Sequence, residues 1–278
     1  GTVPPLEEAG VATAVPPLLS ITYTYDAYGN LTKAETLDGV VTTYSYNART
    51  HALESKVIKT GNGSSFPQNY ATNNDARLTG INGESYAYTD ALMLSRAGDE
   101  TYSYDERGNR TLKEGKSEAS YIYDGNRLTA VTYANGRTTR YTYDKEGRVT
   151  ESNDSEKGRV SFAYTLGGAI ETITTPQETI AYAYDGLNRR TSRASSLTGT
   201  VTYMYAGNTL KKVTNEDGTV LREYFYTPKG ELIALMQKET LYHVVTDRMR
   251  SVVALIETGT GTTNTREYSA WGTVTNDS

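Results

Sequence analysis

Tyr102-Ser103-Tyr104-Asp105-Glu106-Arg107-Gly108-Asn109-Arg110 is one copy of a phrase that repeats along this chain. Close copies are Tyr23-Thr24-Tyr25-Asp26-Ala27-Tyr28-Gly29-Asn30 and Tyr141-Thr142-Tyr143-Asp144-Lys145-Glu146-Gly147-Arg148. Worn copies keep part of it: Tyr121, Tyr123 and Asp124; Tyr182, Tyr184 and Asp185; Tyr44, Tyr46 and Asn47; Tyr224 and Tyr226 ahead of Thr227-Pro228-Lys229-Gly230. The leading aromatics fall at 102, 121, 141, 162, 182, 203 and 224, spaced by 19 to 21 residues. A period this short marks a supersecondary unit that cannot bury its own apolar face and must stack on its neighbours.

Each part of the phrase has a physical reading. In an extended strand, residues two apart lie on one face, so Tyr-x-Tyr places both rings on the same side. Tyrosine- and threonine-rich segments such as 137–143 suit a pleated surface and lack helical periodicity. Asp-x-x-Gly is a turn: the aspartate bonds the backbone ahead of it, and the glycine takes positive φ. Thr227-Pro228-Lys229-Gly230 and Asp185-Gly186-Leu187-Asn188 are variants, the latter ending on asparagine, which tolerates the same conformation. Asp38-Gly39, Asn135-Gly136 and Asp217-Gly218 fall between the phrases and read as two-residue hairpin signals. Two turns and two strands of about seven residues fill one unit. The fold class is therefore all-β, a meander of antiparallel β-hairpins. An open twisted sheet rarely exceeds about ten strands, so this one should curve or spiral as a long ribbon.

Residues 21–241 are assigned to the repeats, with 48–79 a degenerate or loop-containing stretch around Gly61-Asn62-Gly63-Ser64-Ser65. Residues 1–20 form a proline-rich, extended lead-in, and Gly1-Thr2 resembles a cut in a longer chain rather than a leader. The 24 tyrosines against 3 phenylalanines and 1 tryptophan predict a thin, tyrosine-stacked sheet instead of a thick aliphatic core.

Composition also narrows the function. A net charge of −5 gives no footprint for nucleic acid, and no apolar run reaches membrane-spanning length. With no cysteine there is no disulfide, thiolate catalysis or cysteine-bound metal. His51 and His243 are too few and too far apart for a histidine-based zinc site. No nucleophile elbow or phosphate loop appears. The repeated aspartates share one turn position, and a residue that recurs in every unit serves the unit; catalysis needs an asymmetric constellation. The expectation is thus no catalytic residue, no metal and no cofactor.

The least repetitive part is 242–278, which contains Thr246-Asp247-Arg248-Met249-Arg250-Ser251-Val252 and Tyr268-Ser269-Ala270-Trp271-Gly272. At these residues, and in the repeats, the sequence resembles the RHS/YD-repeat family, over about 20–274. Asp247 and Ser251 fit the first phrase of that family's core-associated ending, and Tyr268, Trp271 and Gly272 fit the second. Arg250 stands where the family has glycine, which puts a tight turn there in question. The resemblance implies a β-ribbon spiralling into a hollow shell, as in bacterial RHS toxins, the C components of insecticidal toxin complexes and teneurins. In bacterial members the shell encloses a toxin polypeptide released by an aspartyl autoprotease, whose motif would follow Gly272; the sequence ends at Ser278 before it. Either an excised piece or a short member fits.

Three functions compete. The first is a structural wall segment of a secreted or cell-surface bacterial protein, partnered by the flanking polypeptide or an enclosed toxin segment. The second is a binding module whose tyrosine face takes glycans or a cell-surface protein. The third, an enzyme, lacks a nucleophile, a metal set and the protease motif. Open sheet edges would also favour self-association.

Overall fold

The computed structural model describes residues 20–227, 230–261 and 263–277. The lead-in assigned to 1–20 lies outside the described residues except for Ser20. Among the described residues a single antiparallel sheet of 26 strands runs from β1 (Ile21–Tyr25) to β26 (Val274–Asp277). Every strand pairs with the next in sequence, for example Thr142↔Glu151 and Ala183↔Ser192, so the chain is a continuous meander and is not closed into a barrel. Residues 48–79 carry β4 (Leu53–Lys59) and β5 (Ser65–Thr72), joined by a tight turn at 60–63, and lead into β6 (Leu78–Ile81).

The phrase turn is one geometry repeated. In the first copy the Gly29 amide donates to the Asp26 carbonyl (3.1 Å), the Asp26 amide donates to the Asn30 carbonyl (2.9 Å), and Gly29 has φ +82°. This is a type I turn closed by a left-handed residue, with a register shift just before the second tyrosine. The Asp26 carboxylate accepts the Tyr28 and Asn30 amides, each at 2.9 Å, and the Asn30 side-chain amide at 2.9 Å. Asp105, Asp144 and Asp185 close the same turn, the last through Asn188 at φ +59°.

Two expectations are corrected. Asn135-Gly136 is not a two-residue loop: Gly136 donates to the Tyr133 carbonyl and Tyr133 to the Arg137 carbonyl, the same three-residue loop as in the phrase. Asp38-Gly39 and Asp217-Gly218 behave likewise. Only the glycine has positive φ in each, and the two-residue turn favoured by Asn-Gly would need it at both positions. Conversely, Asp124 does not open the phrase turn. It pairs with Arg127 across a true two-residue loop led by Gly125 at φ +62°, because its unit is one residue shorter.

Among the described residues buried apolar side chains gather in two small clusters. One joins Val40 and Ile58, near the start, to Val245, Ala254 and Ile256, near the end, with Phe66 and Val253 against them. The other is local, Ala234 and Leu241 with Phe225 and Met236. The first cluster shows how the ribbon coils. Ile58 and Lys56 pair with Thr42 and Tyr44, so they lie on the tyrosine face. His243 and Ile256 share a face with Ala234 and hence with Phe225, the middle residue of its Tyr-x-Tyr, which points away from the tyrosines. The last strands therefore lie with their non-tyrosine face on the tyrosine face of the first.

Candidate functional site

The tyrosine face is built by the second ring of each phrase. Nine of these hydroxyls donate to a backbone carbonyl of the preceding unit, as Tyr143 does to Leu128 (2.6 Å), Tyr184 to Ile170 (2.7 Å) and Tyr268 to Val252 (2.9 Å). The reason lies in the ladder. Between β12 (Arg127–Tyr133) and β13 (Thr138–Tyr143) pairing begins only at Ala130↔Arg140, and the Tyr143 hydroxyl takes the Leu128 carbonyl beyond its end. A hydroxyl on a ring-length arm thus spans the gap that the bulge opens between units.

The rings do not stack on one another as the sequence suggested. Among the described residues the aromatic pairs are Tyr28 with His51 and Tyr102 with Trp271. Cations cover the rings instead: Arg137 lies 3.9 Å from the Tyr133 centroid, Arg190 4.2 Å from Tyr182 and Arg148 4.7 Å from Tyr164. A guanidinium is planar and weakly hydrated, so it can pack flat on a half-buried ring while reaching a carboxylate. Arg148 and Arg189 do this, bonding Asp144 and Asp185 at 2.6 Å.

Turns from the end of the chain sit on this face at its start. Lys56 donates to the Thr246 carbonyl at 2.5 Å, and the Arg248 amide donates to the Tyr70 hydroxyl. Burial pushes Tyr70 up to about 12. Trp271, in the turn at 269–272, lies edge-on to Tyr102 at 5.3 Å and 4.1 Å from the Arg110 guanidinium. Tyr102 is only 5% exposed; burial and then its bond to Glu100 hold its hydroxyl protonated well above the usual range. At the seam His243 meets Asp38 at 2.7 Å, with side chains 6% and 11% exposed. Burial opposes ionisation of Asp38, but bonds from Thr36 and His243 outweigh it and hold the carboxyl below its usual range. A cavity of about 550 Å³ opens beside this seam, walled by Tyr23, Tyr44, Tyr46, Lys56 and Tyr226 and by residues 230–233 and 243–248.

The core-associated residues extend the same logic. Arg250 does not remove the turn: its amide donates to the Asp247 carbonyl with φ +66°, and the Asp247 carboxylate accepts the Ser251 amide at 2.8 Å. Asp247 is thus a turn aspartate like Asp26. Ser269 takes that role before Gly272, its hydroxyl oxygen accepting the Thr273 amide. Gly108, Gly147 and Gly230 all have φ +81°. The aspartates are distributed along one edge, and no group of three or more histidine, aspartate or glutamate side chains among the described residues could hold a metal. The seam pair, Lys56 and Arg110 were not identified from sequence. Asp38 and His243 are 205 residues apart, and only coiling brings them together; Arg110 could have been flagged, because it occupies a fixed position five residues after the phrase aspartate.

Comparison with known proteins places this architecture. Residues 177–278 match the teneurin YD-shell family model and residues 123–160 the RHS repeat model. The chain is 27% identical over 187 residues to the tRNA3(Ser)-specific nuclease WapA of Bacillus spizizenii, covering 63% of this chain and 8% of that protein. It is 26% identical over 190 residues to teneurin-3 of Mus musculus, covering 64% and 7%. The crystal structure of TcdB2-TccC3-Cdc42 has the same fold over 93% of this chain and 16% of its own, with a TM-score of 0.61 at 15% identity.

Proposed function

The chain belongs to the RHS/YD-repeat family, and on that premise we propose that it is a non-catalytic wall segment of a β-ribbon shell. The wall belongs to a larger secreted or cell-surface bacterial protein and encloses or presents polypeptide from that protein, such as a toxin segment. The observation that carries this reading is the seam: the ribbon coils until its last strands lie on the tyrosine face of its first, burying Ile58, Val245 and Ile256. The nuclease named in the WapA relatives is said of proteins of which this chain spans a small part. The TcdB2-TccC3 structures and the Tc holotoxin pore of Photorhabdus luminescens share the fold with this chain, and that likeness of fold is what they lend to the wall reading.

A second reading, an adhesion surface for glycans or a protein, draws on exposed rings such as Tyr25, which is 49% exposed. It is the weaker of the two, because most second-position hydroxyls are committed to backbone carbonyls and are not free to bond a sugar.

The test is opening the seam in the full-length protein. Ile256→Asp puts a charge into a site that is 1% exposed, where an unpaired carboxylate is strongly disfavoured. The expected result is a larger radius of gyration with unchanged β-sheet circular dichroism, and new cleavage by added protease in polypeptide that the intact wall protected. Equal cleavage of that polypeptide in the parent and in the opened variant would sink the wall reading.

A further inference from the structure

We propose that Arg190, with Tyr182 and Tyr203, is a binding site for an aromatic side chain of a polypeptide, an indole above all. This goes beyond the wall reading and does not depend on it.

The chain itself displays the interaction at the equivalent position. Arg110 follows Asp105 by five residues, and its guanidinium lies 4.1 Å from the Trp271 ring, 4.5 Å from Tyr121 and 5.8 Å from Tyr102. One planar cation and two tyrosines thus receive an indole carried on a reverse turn. Arg190 follows Asp185 by the same five residues, and Tyr182 and Tyr203 occupy the positions of Tyr102 and Tyr121. The backbone correspondence is equally close: Tyr123 donates to the Arg110 carbonyl at 3.0 Å and Tyr205 to the Arg190 carbonyl at 2.9 Å. Both arginines therefore stand at one repeat position on the tyrosine face.

The two sites differ in what covers them. Arg110 is half-buried under Trp271, whereas Arg190 is exposed, 4.2 Å from the Tyr182 ring, and makes no ion pair among the described residues. Its exposed face is available to a second ring, and a guanidinium between two π faces is a favourable arrangement. Tyr203 also borders a cavity of about 920 Å³ lined by Val201, Val213, Tyr224 and Met236, which gives room for the backbone that would carry the ring.

The same surroundings disfavour a sugar. Several polar groups at the cavity rim are already engaged: Arg222 bonds Gln237 at 3.0 Å, Glu223 bonds Lys212 at 2.6 Å, and Arg193 lies 3.8 Å from Glu178. A carbohydrate needs several free directional partners, and an aromatic side chain needs the π face and the cation alone.

The experiment is a titration of the isotopically labelled 278-residue chain by NMR. The probes are the peptide Gly-Ser-Trp-Ser-Gly, its leucine counterpart and cellohexaose. The tryptophan peptide should perturb 179–184, 190–195 and 199–206, with binding about fivefold tighter than that of the leucine peptide. Arg190→Lys, which keeps the charge but not the plane, should weaken it by about the same factor with unchanged circular dichroism. Tyr182→Leu provides a second variant if that one does not fold. Equal binding of both peptides, undiminished binding to a folded Arg190→Lys or Tyr182→Leu protein, or perturbation of this site by cellohexaose alone would overturn the proposal.

Discussion

Replacing Arg250 by glycine should make this protein more stable, although it deletes the whole side chain. Arg250 closes the turn opened by Asp247 and has φ +66°, the place occupied by Gly29 at +82° and Gly108 at +81°. A left-handed backbone costs a residue with a Cβ about 1–2 kcal/mol. Glycine returns about 0.5–1 kcal/mol of that through its greater freedom in the unfolded chain. The difference leaves Arg250→Gly about 0.5–1 kcal/mol more stable, given that the Arg250 side chain is exposed. At about 2–4 °C per kcal/mol for a chain of this size, the midpoint should rise by about 1–4 °C. The mirror experiment is Gly29→Ala, where an added Cβ meets nothing within 4 Å and only the backbone conformation is tested. It should lose about 0.5–1 kcal/mol by the same terms. Urea denaturation gives both numbers, and amide exchange at 247–251 reports whether the gain is local. If Gly29→Ala costs stability but Arg250→Gly gains none, the arginine side chain contributes as much as its backbone strain costs. Were both substitutions neutral, the left-handed turn assignment itself would be wrong.

Tyr143→Phe removes only the hydroxyl that donates to the Leu128 carbonyl at 2.6 Å, and should cost about 1 kcal/mol. Exchange should quicken over 127–143 and stay unchanged in distant repeats, because an array transmits little beyond its neighbours; a uniform change in all strands would contradict the inter-unit staple. Acid should destabilise the turns together. Bonds from the side chains of Asn30, Asn109 and Arg189 lower the carboxyls of Asp26, Asp105 and Asp185, and the Thr139 hydroxyl lowers Asp154 to about 2. Folded values below the unfolded one give stability that is present above about pH 4 and lost as the pH falls toward about 2. A midpoint measured from pH 7 to 2 should be flat to about 4.5 and then fall; a decline beginning near pH 6 would point to histidine instead.

The hairpin period, the turn chemistry and the all-β class were legible in the residues because each is local. Asp26 and Gly29 are three apart, and the bonds they make are decided within one turn. Even the misread loops at Asn135-Gly136 and Asp217-Gly218 erred only in loop length, since a dipeptide that suits one turn type also fits the end of another. What no stretch of sequence specifies is which faces meet when the ribbon coils. Curvature accumulates over many strands from small twists, so the contacts of His243 with Asp38, Thr246 with Lys56 and Trp271 with Arg110 depend on everything between them. The sequence alone determined a repeating tyrosine-faced hairpin that must curve. Tertiary structure alone decided that the final strands lie upon the first, because burial of Ile58 against Ile256 becomes possible only once the coil has brought the two ends together.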